Sequence, residues 1–143
     1  MCGFIGLVSA KPLVRNSFMD NQFGKALRWA DKAISVNNKL GDTFAQKAKV
    51  FYYGWDYFNQ NPFTIDDRIV AKLSYDNYVI AEKKGYLGSS KRNWFESNAK
   101  DVLYGKAQWF MANDKVKRTR SITISTPDYD WVTESLKPET SWK

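Results

Sequence analysis

Between residues 17 and 111, apolar side chains recur at spacings of three and four, and that spacing restricts the chain to a packing of amphipathic helices. Met19, Phe23, Ala26, Leu27, Ala30, Ala33 and Ile34 draw one face of a first helix. It is predicted to open near Ser17, where Ser17 and Asp20 stand as a capping box, and to close at Asn37-Asn38. Phe44, Ala48, Phe51 and Trp55 define a second helix from about Asp42 to Phe58, which stops before Asn61-Pro62 because a residue preceding proline is pushed out of the helical region. A third opens at Thr64, sets Asp66 and Asp67 at the positive end of its dipole, carries Ile69, Val70, Leu73 and Ile80, and closes at Lys83-Lys84-Gly85. A fourth begins after Ser89-Ser90 and carries Phe95, Ala99, Val102, Leu103, Ala107, Phe110 and Met111. Short connections make neighbouring helices antiparallel.

After Asn113 the pattern changes. Lys115 to Thr126 (KVKRTRSITIST) is basic, β-branched and alternating, and reads as one strand. Thr126-Pro127 then reads as a cap and first helical position for a short helix through Leu136. A single strand leaves its backbone groups unpaired. It is expected to pair with the apolar N-terminal segment, a second copy or a partner's sheet edge. The expected fold is mainly α: an antiparallel four-helix arrangement with an apolar N-terminal arm and a C-terminal β-strand plus short helix. Residues 1–143 read as one domain, with the arm at 1–14, the helical core at 15–113 and the strand and tail extension at 114–143.

Composition narrows the chemistry. The 143 residues are 43% hydrophobic and 16% aromatic, which suits a packed core. There is no His, which excludes Ser-His-Asp and Cys-His catalysis, His-ligated zinc and imidazole acid/base work. One Cys excludes an intrachain disulfide or a thiolate cluster. Asp66-Asp67 and Asp128-Asp130 fall in the first turns of expected helices, and no glycine-rich phosphate loop follows a strand. No cofactor or metal is implied. The net charge of +7 favours acidic partners. Met1 to Ala10, the longest apolar stretch, is too short for a membrane span and lacks the basic start of a secretory signal, so it is expected to belong to the mature chain. The expected location is cytoplasmic, or a virion assembled in a host cytoplasm.

Residues 26–57 resemble a tetratricopeptide-type helix-turn-helix. Ala26-Leu27, Trp29-Ala30 and Ala33-Ile34 stand at the packing positions of a repeat's second helix. Asn37-Asn38 stands at its turn, and Phe44, Ala48, Phe51 and Asp56-Tyr57 match the next repeat's first helix. Lys47 and Asn38 depart from the pattern, which does not continue after Tyr57. The resemblance implies a hairpin suited to protein contacts; an ordinary helical hairpin has the same packing needs. Met1-Cys2-Gly3-Phe4-Ile5-Gly6 is similar to the start of glutamine amidotransferases with an N-terminal Cys nucleophile, whose own α-amine acts as base. Neither that family's Arg-Gly clamp nor its Asn-Gly oxyanion segment follows, and its layered β architecture conflicts with the expected helices.

Two further constellations point to binding. Lys115, Lys117, Arg118 and Arg120, with Lys91 and Arg92, suit non-specific phosphate contact. The aromatics of Phe51 to Phe58 exceed what one helix face can bury, so Tyr52, Tyr53, Trp55, Tyr57 and Phe58 are read as interface residues. Phe4 and Ile5 of the arm, Ile122 and Ile124 of the strand, and Trp142 of the tail join them. The expectation is a non-enzymatic helical assembly or adaptor protein, a homo-oligomer or a subunit of a larger assembly such as a phage structural or connector component. A basic nucleic-acid-binding module is the alternative, and the amidotransferase-like enzyme a second.

Overall fold

The computed structural model describes residues 13–88 and 90–142. The arm residues Cys2, Gly3, Phe4 and Ile5, and with them the amidotransferase-like opening, lie outside the described residues. Three long helices carry the fold: α1 (Leu13–Val36), α2 (Gly41–Phe58) and α3 (Ile65–Lys83). α2 packs against both α1 and α3, and the short connections make each pair antiparallel. Residues 13–16 are already helical, so Ser17 lies inside α1 instead of capping it.

α3 has the ends its sequence dictates. The Thr64 hydroxyl accepts from the Asp67 amide at 3.0 Å, and the Asp67 carboxylate accepts from the Thr64 amide at 2.9 Å. At the other end Gly85 takes φ 97°, and the amides of Gly85 and Tyr86 donate back to Glu82 and Ala81, each at 3.0 Å. This left-handed C-terminal closure favours glycine.

The expected fourth helix is instead broken into α4 (Ser90–Ser97), α5 (Ala99–Val102) and α6 (Lys106–Phe110). Val102, Leu103 and Tyr104 are consecutive and all buried, which a continuous helix facing one neighbour does not allow. Leu103 is extended, its carbonyl accepts from the Arg68 guanidinium at 3.0 Å, and the Tyr104 amide donates to the Arg68 carbonyl at 3.1 Å. Backbone hydrogen bonds lost where the helix breaks are thus replaced by α3. Gly105 reopens the helix, its amide donating to Gln108 Oε1 at 2.9 Å.

The expected strand over Lys115–Thr126 is not observed. Asn113 accepts from the Val116 amide at 2.9 Å and caps α7 (Asp114–Thr119), which ends where Arg120 turns left-handed at φ 53°. The cap and the straight-chain Lys and Arg residues outweigh Val116 and Thr119. Extended pairing is confined to an antiparallel bridge of Ile122 with Leu136, whose two N–H···O bonds measure 2.9 and 2.8 Å. The pairing expected with the N-terminal segment, a second copy or a partner's sheet edge is instead made by Ile122 to Leu136 of the same chain. The helix expected from Thr126 to Leu136 is a single 3-10 turn, Pro127–Tyr129.

α2 accounts for the dense aromatic run by burying more than one side. Phe51 and Phe58 face Phe23, Tyr129 and Trp131, while Tyr52 and Trp55 face Phe95, with Phe63 and Trp94 against Trp55. Gly54 lets the Trp131 ring lie directly on the helix, since a Cβ there would overlap it.

Candidate functional site

The buried ionisable groups tie the C-terminal segment down. Asp66 accepts from the amides of Ser125 at 3.0 Å and Thr126 at 2.8 Å. Asp67, already the cap of α3, also accepts the Tyr129 hydroxyl at 2.6 Å. Burial, with that hydrogen bond added, pushes the Tyr129 phenol far above its ordinary range, so it remains a donor. Lys47 bridges Asp31 of α1 at 2.7 Å and Glu134 at 2.6 Å. Lys72 is buried between Asp76 and Glu139 with the rings of Tyr75 and Trp142 over it. Burial alone would lower the Lys72 pKa, and the two carboxylates overcome it, leaving a net rise. These charges are occupied in holding α1, α2 and α3 to residues 121–142. Among the described residues no group of three or more His, Cys, Asp or Glu is placed to hold a metal ion, and no helix is long and apolar enough to cross a membrane.

The interface reading is redistributed. Trp55, Phe58, Ile122 and Trp142 are buried in the chain's own core, and Ile124 packs against it. Tyr52 and Tyr57 are half-buried, and Tyr53 is exposed. Thus all four serve intramolecular packing: Trp55 is covered by Phe63, Trp94 and Phe95, and Phe58, Ile122 and Trp142 are buried where the C-terminal segment folds back over the helices. Lys91 lies over the Tyr52 ring at 4.4 Å. Arg92 pairs with Glu82 at 3.3 Å and Glu96 at 3.2 Å, so its charge is compensated within the fold.

The remaining basic residues gather on a different kind of surface. Lys115, Lys117, Arg118 and Arg120 are all exposed on α7 and its end. Lys117 donates to the Phe110 carbonyl at 2.8 Å with its ammonium over the Phe110 ring, and Arg120 lies over the Trp109 ring. Lys115 and Arg118 have no ion pair among the described residues. Beside them Phe110 is 74% and Met111 80% exposed, although their helical spacing suggested core positions. Ile65, Ile69, Ala112, Val116 and Ile122 continue this apolar surface into an open cleft of about 550 Å³. A second outward aromatic, Trp29, is 70% exposed among Lys25, Arg28 and Lys32 of α1. The tetratricopeptide-type resemblance had placed it at a packing position of a repeat's second helix. The signal for Phe110 and Met111 was their position just ahead of the Asn113 cap, where a helix ends.

No protein-family model, curated protein or solved structure matches the chain.

Proposed function

We propose that the chain is a non-enzymatic helical assembly or adaptor protein that forms interfaces with other protein subunits. The observation that carries this reading is the exposure of Trp29 among Lys25, Arg28 and Lys32, and of Phe110 and Met111 just ahead of the basic helix α7. Large side chains grouped this way on a surface mark contact sites, and aromatics and Met are enriched at interface cores. The chemistry-bearing buried residues are engaged in internal latches, which favours a binding role over catalysis. A virion or phage connector component is a setting that suits such a subunit, and the repeat-like hairpin of α1 and α2 adds a surface of the right kind.

Size-exclusion chromatography with light scattering, read at 260 and 280 nm, tests the proposal. A discrete oligomer or a partner-dependent complex, free of nucleic acid, is expected. A monomer that co-elutes with nucleic acid overturns it in favour of the basic nucleic-acid-binding module at Lys115–Arg120, and a monomer with no partner counts against both.

A further inference from the structure

Helix α1 packs one side against α2, burying Leu27 and Ala30, and leaves the other side bare. On the bare side Phe18, Gln22, Lys25, Trp29, Lys32 and Val36 follow one another at spacings of four and three, and all six are exposed. Residues spaced this way form one seam along a helix, about 27 Å long over these positions. Phe18 is 60%, Trp29 70% and Val36 80% exposed, so three large apolar side chains stand along it. The cations are placed among them. Lys25, Arg28, Trp29 and Lys32 line one open depression that holds no acid, and the Lys32 ammonium lies 5.3 Å from the Trp29 ring centre. The two acids of α1 are engaged elsewhere: Asp31 pairs with Lys47 at 2.7 Å, and Asp20 lines a neighbouring depression with Asp130. Arg28 borders that second depression too, which leaves Lys25 and Lys32 as the seam's own charges.

We infer that this seam docks an acidic amphipathic helix of a partner protein. Apolar side chains of that helix lie against Phe18, Trp29 and Val36, and its carboxylates meet Lys25 and Lys32. A positive seam without acids selects a negative partner and speeds the encounter, and the apolar side chains add contact area at the spacing a second helix can match. A second copy of the chain fits less well, because it sets lysines of like charge against each other. A single nucleic-acid strand also fits less well. Val36 offers no plane for a base, and Phe18 and Trp29 stand about 16 Å apart along the axis, too far for neighbouring bases. This docking rests on the assembly reading of the chain and names the partner's chemistry.

A phage-displayed library of helical peptides, randomised along one face and panned against the whole chain, tests it. Recovered peptides are expected to combine Asp or Glu with large apolar residues on the randomised face. They should bind Trp29→Ala, and separately the Lys25→Glu/Lys32→Glu double variant, about tenfold more weakly than wild type. Their binding to wild type should also weaken as salt rises. The three substituted side chains are exposed, and unchanged circular dichroism shows that the variants fold. Peptides without acidic residues, or ones that bind wild type and variants equally, overturn the seam but leave the assembly reading standing, as does recovery of no peptide. A homo-oligomer that Trp29→Ala splits into monomers gives the seam to a second copy and overturns the acidic occupant. If instead the chain is a monomer that binds a fluorescein-labelled single-stranded oligonucleotide, and the double variant abolishes that binding, both this inference and the assembly reading fall.

Discussion

At the scale of single residues, the Tyr129 hydroxyl and the Asp67 carboxylate make the most consequential contact between distant parts of the chain. Both are buried, and the same carboxylate accepts from Thr64 and Gln60. Tyr129→Phe leaves a buried acceptor oxygen without its donor, and denaturant unfolding should show a loss of about 2 kcal/mol. Asp20 behaves in the opposite sense. Burial, then the charges of Asp128 and Asp130, raise its pKa from 3.8 to about 6. A carboxyl whose folded pKa is raised contributes stability at low pH that is lost as pH rises through the folded value. Asp20→Asn should therefore match wild type near pH 4 and exceed it above about pH 6 in urea midpoint. An unchanged difference between the two proteins across that range would count against the assignment.

At the scale of elements, α2 decides how the aromatics are shared. Gly54 is the position at which Trp131 approaches the helix backbone. Alanine there gains about 1 kcal/mol of helix propensity. Overlap with the indole should cost more, and Gly54→Ala is expected to lose about 2 kcal/mol net in thermal unfolding. Adding Trp131→Leu should return part of that loss relative to Trp131→Leu alone, because the ring that clashes is gone. Elements whose ends are set locally were legible in the sequence: α2 stops ahead of Asn61-Pro62, and α3 lies between its Thr64 cap and the left-handed Gly85. The broken region from Ser90 to Phe110 was not legible, because Arg68 supplies the replacement hydrogen bonds from more than thirty positions away. Alternation over Ile122 and Ile124 suggested a longer strand, but the Asn113 cap claims the preceding residues for helix. The basic half of the candidate site could be read from Lys115 to Arg120. For its apolar half the one local signal was the place of Phe110 and Met111 just ahead of the Asn113 cap, against a helical spacing that suggested core positions.

At the scale of the whole molecule, residues 121–142 lie across the helices as a latched strap. Lys72 holds Glu139, Lys47 holds Glu134, and Ile122 pairs with Leu136. Lys72→Met leaves Asp76 and Glu139 facing each other without a cation. Both carboxylates keep partial access to water, so the expected loss is about 2 kcal/mol, below that of a fully buried broken pair. Limited proteolysis should cut the variant first near its C-terminal end. The hydrogen bond and charge of Lys72 hold the Glu139 carboxyl below its ordinary range. Its stabilising contribution is present at neutral pH and disappears on acidification through that lowered value, and in Lys72→Met that acid-side slope should be absent.

The seat for Trp131 has a temporal consequence. The slot at Gly54 is formed by a helix made early in synthesis, whereas the ring that fills it is encoded more than half the chain later. Until that tryptophan leaves the ribosome, the α1–α2 pair carries an unfilled aromatic groove lined by Phe23, Phe51 and Phe58. Closing so long a loop is slow compared with forming the helices. A nascent chain stalled shortly before Trp131 should therefore bind hydrophobic dyes or a chaperone through that groove, and lose the binding once the indole is in place.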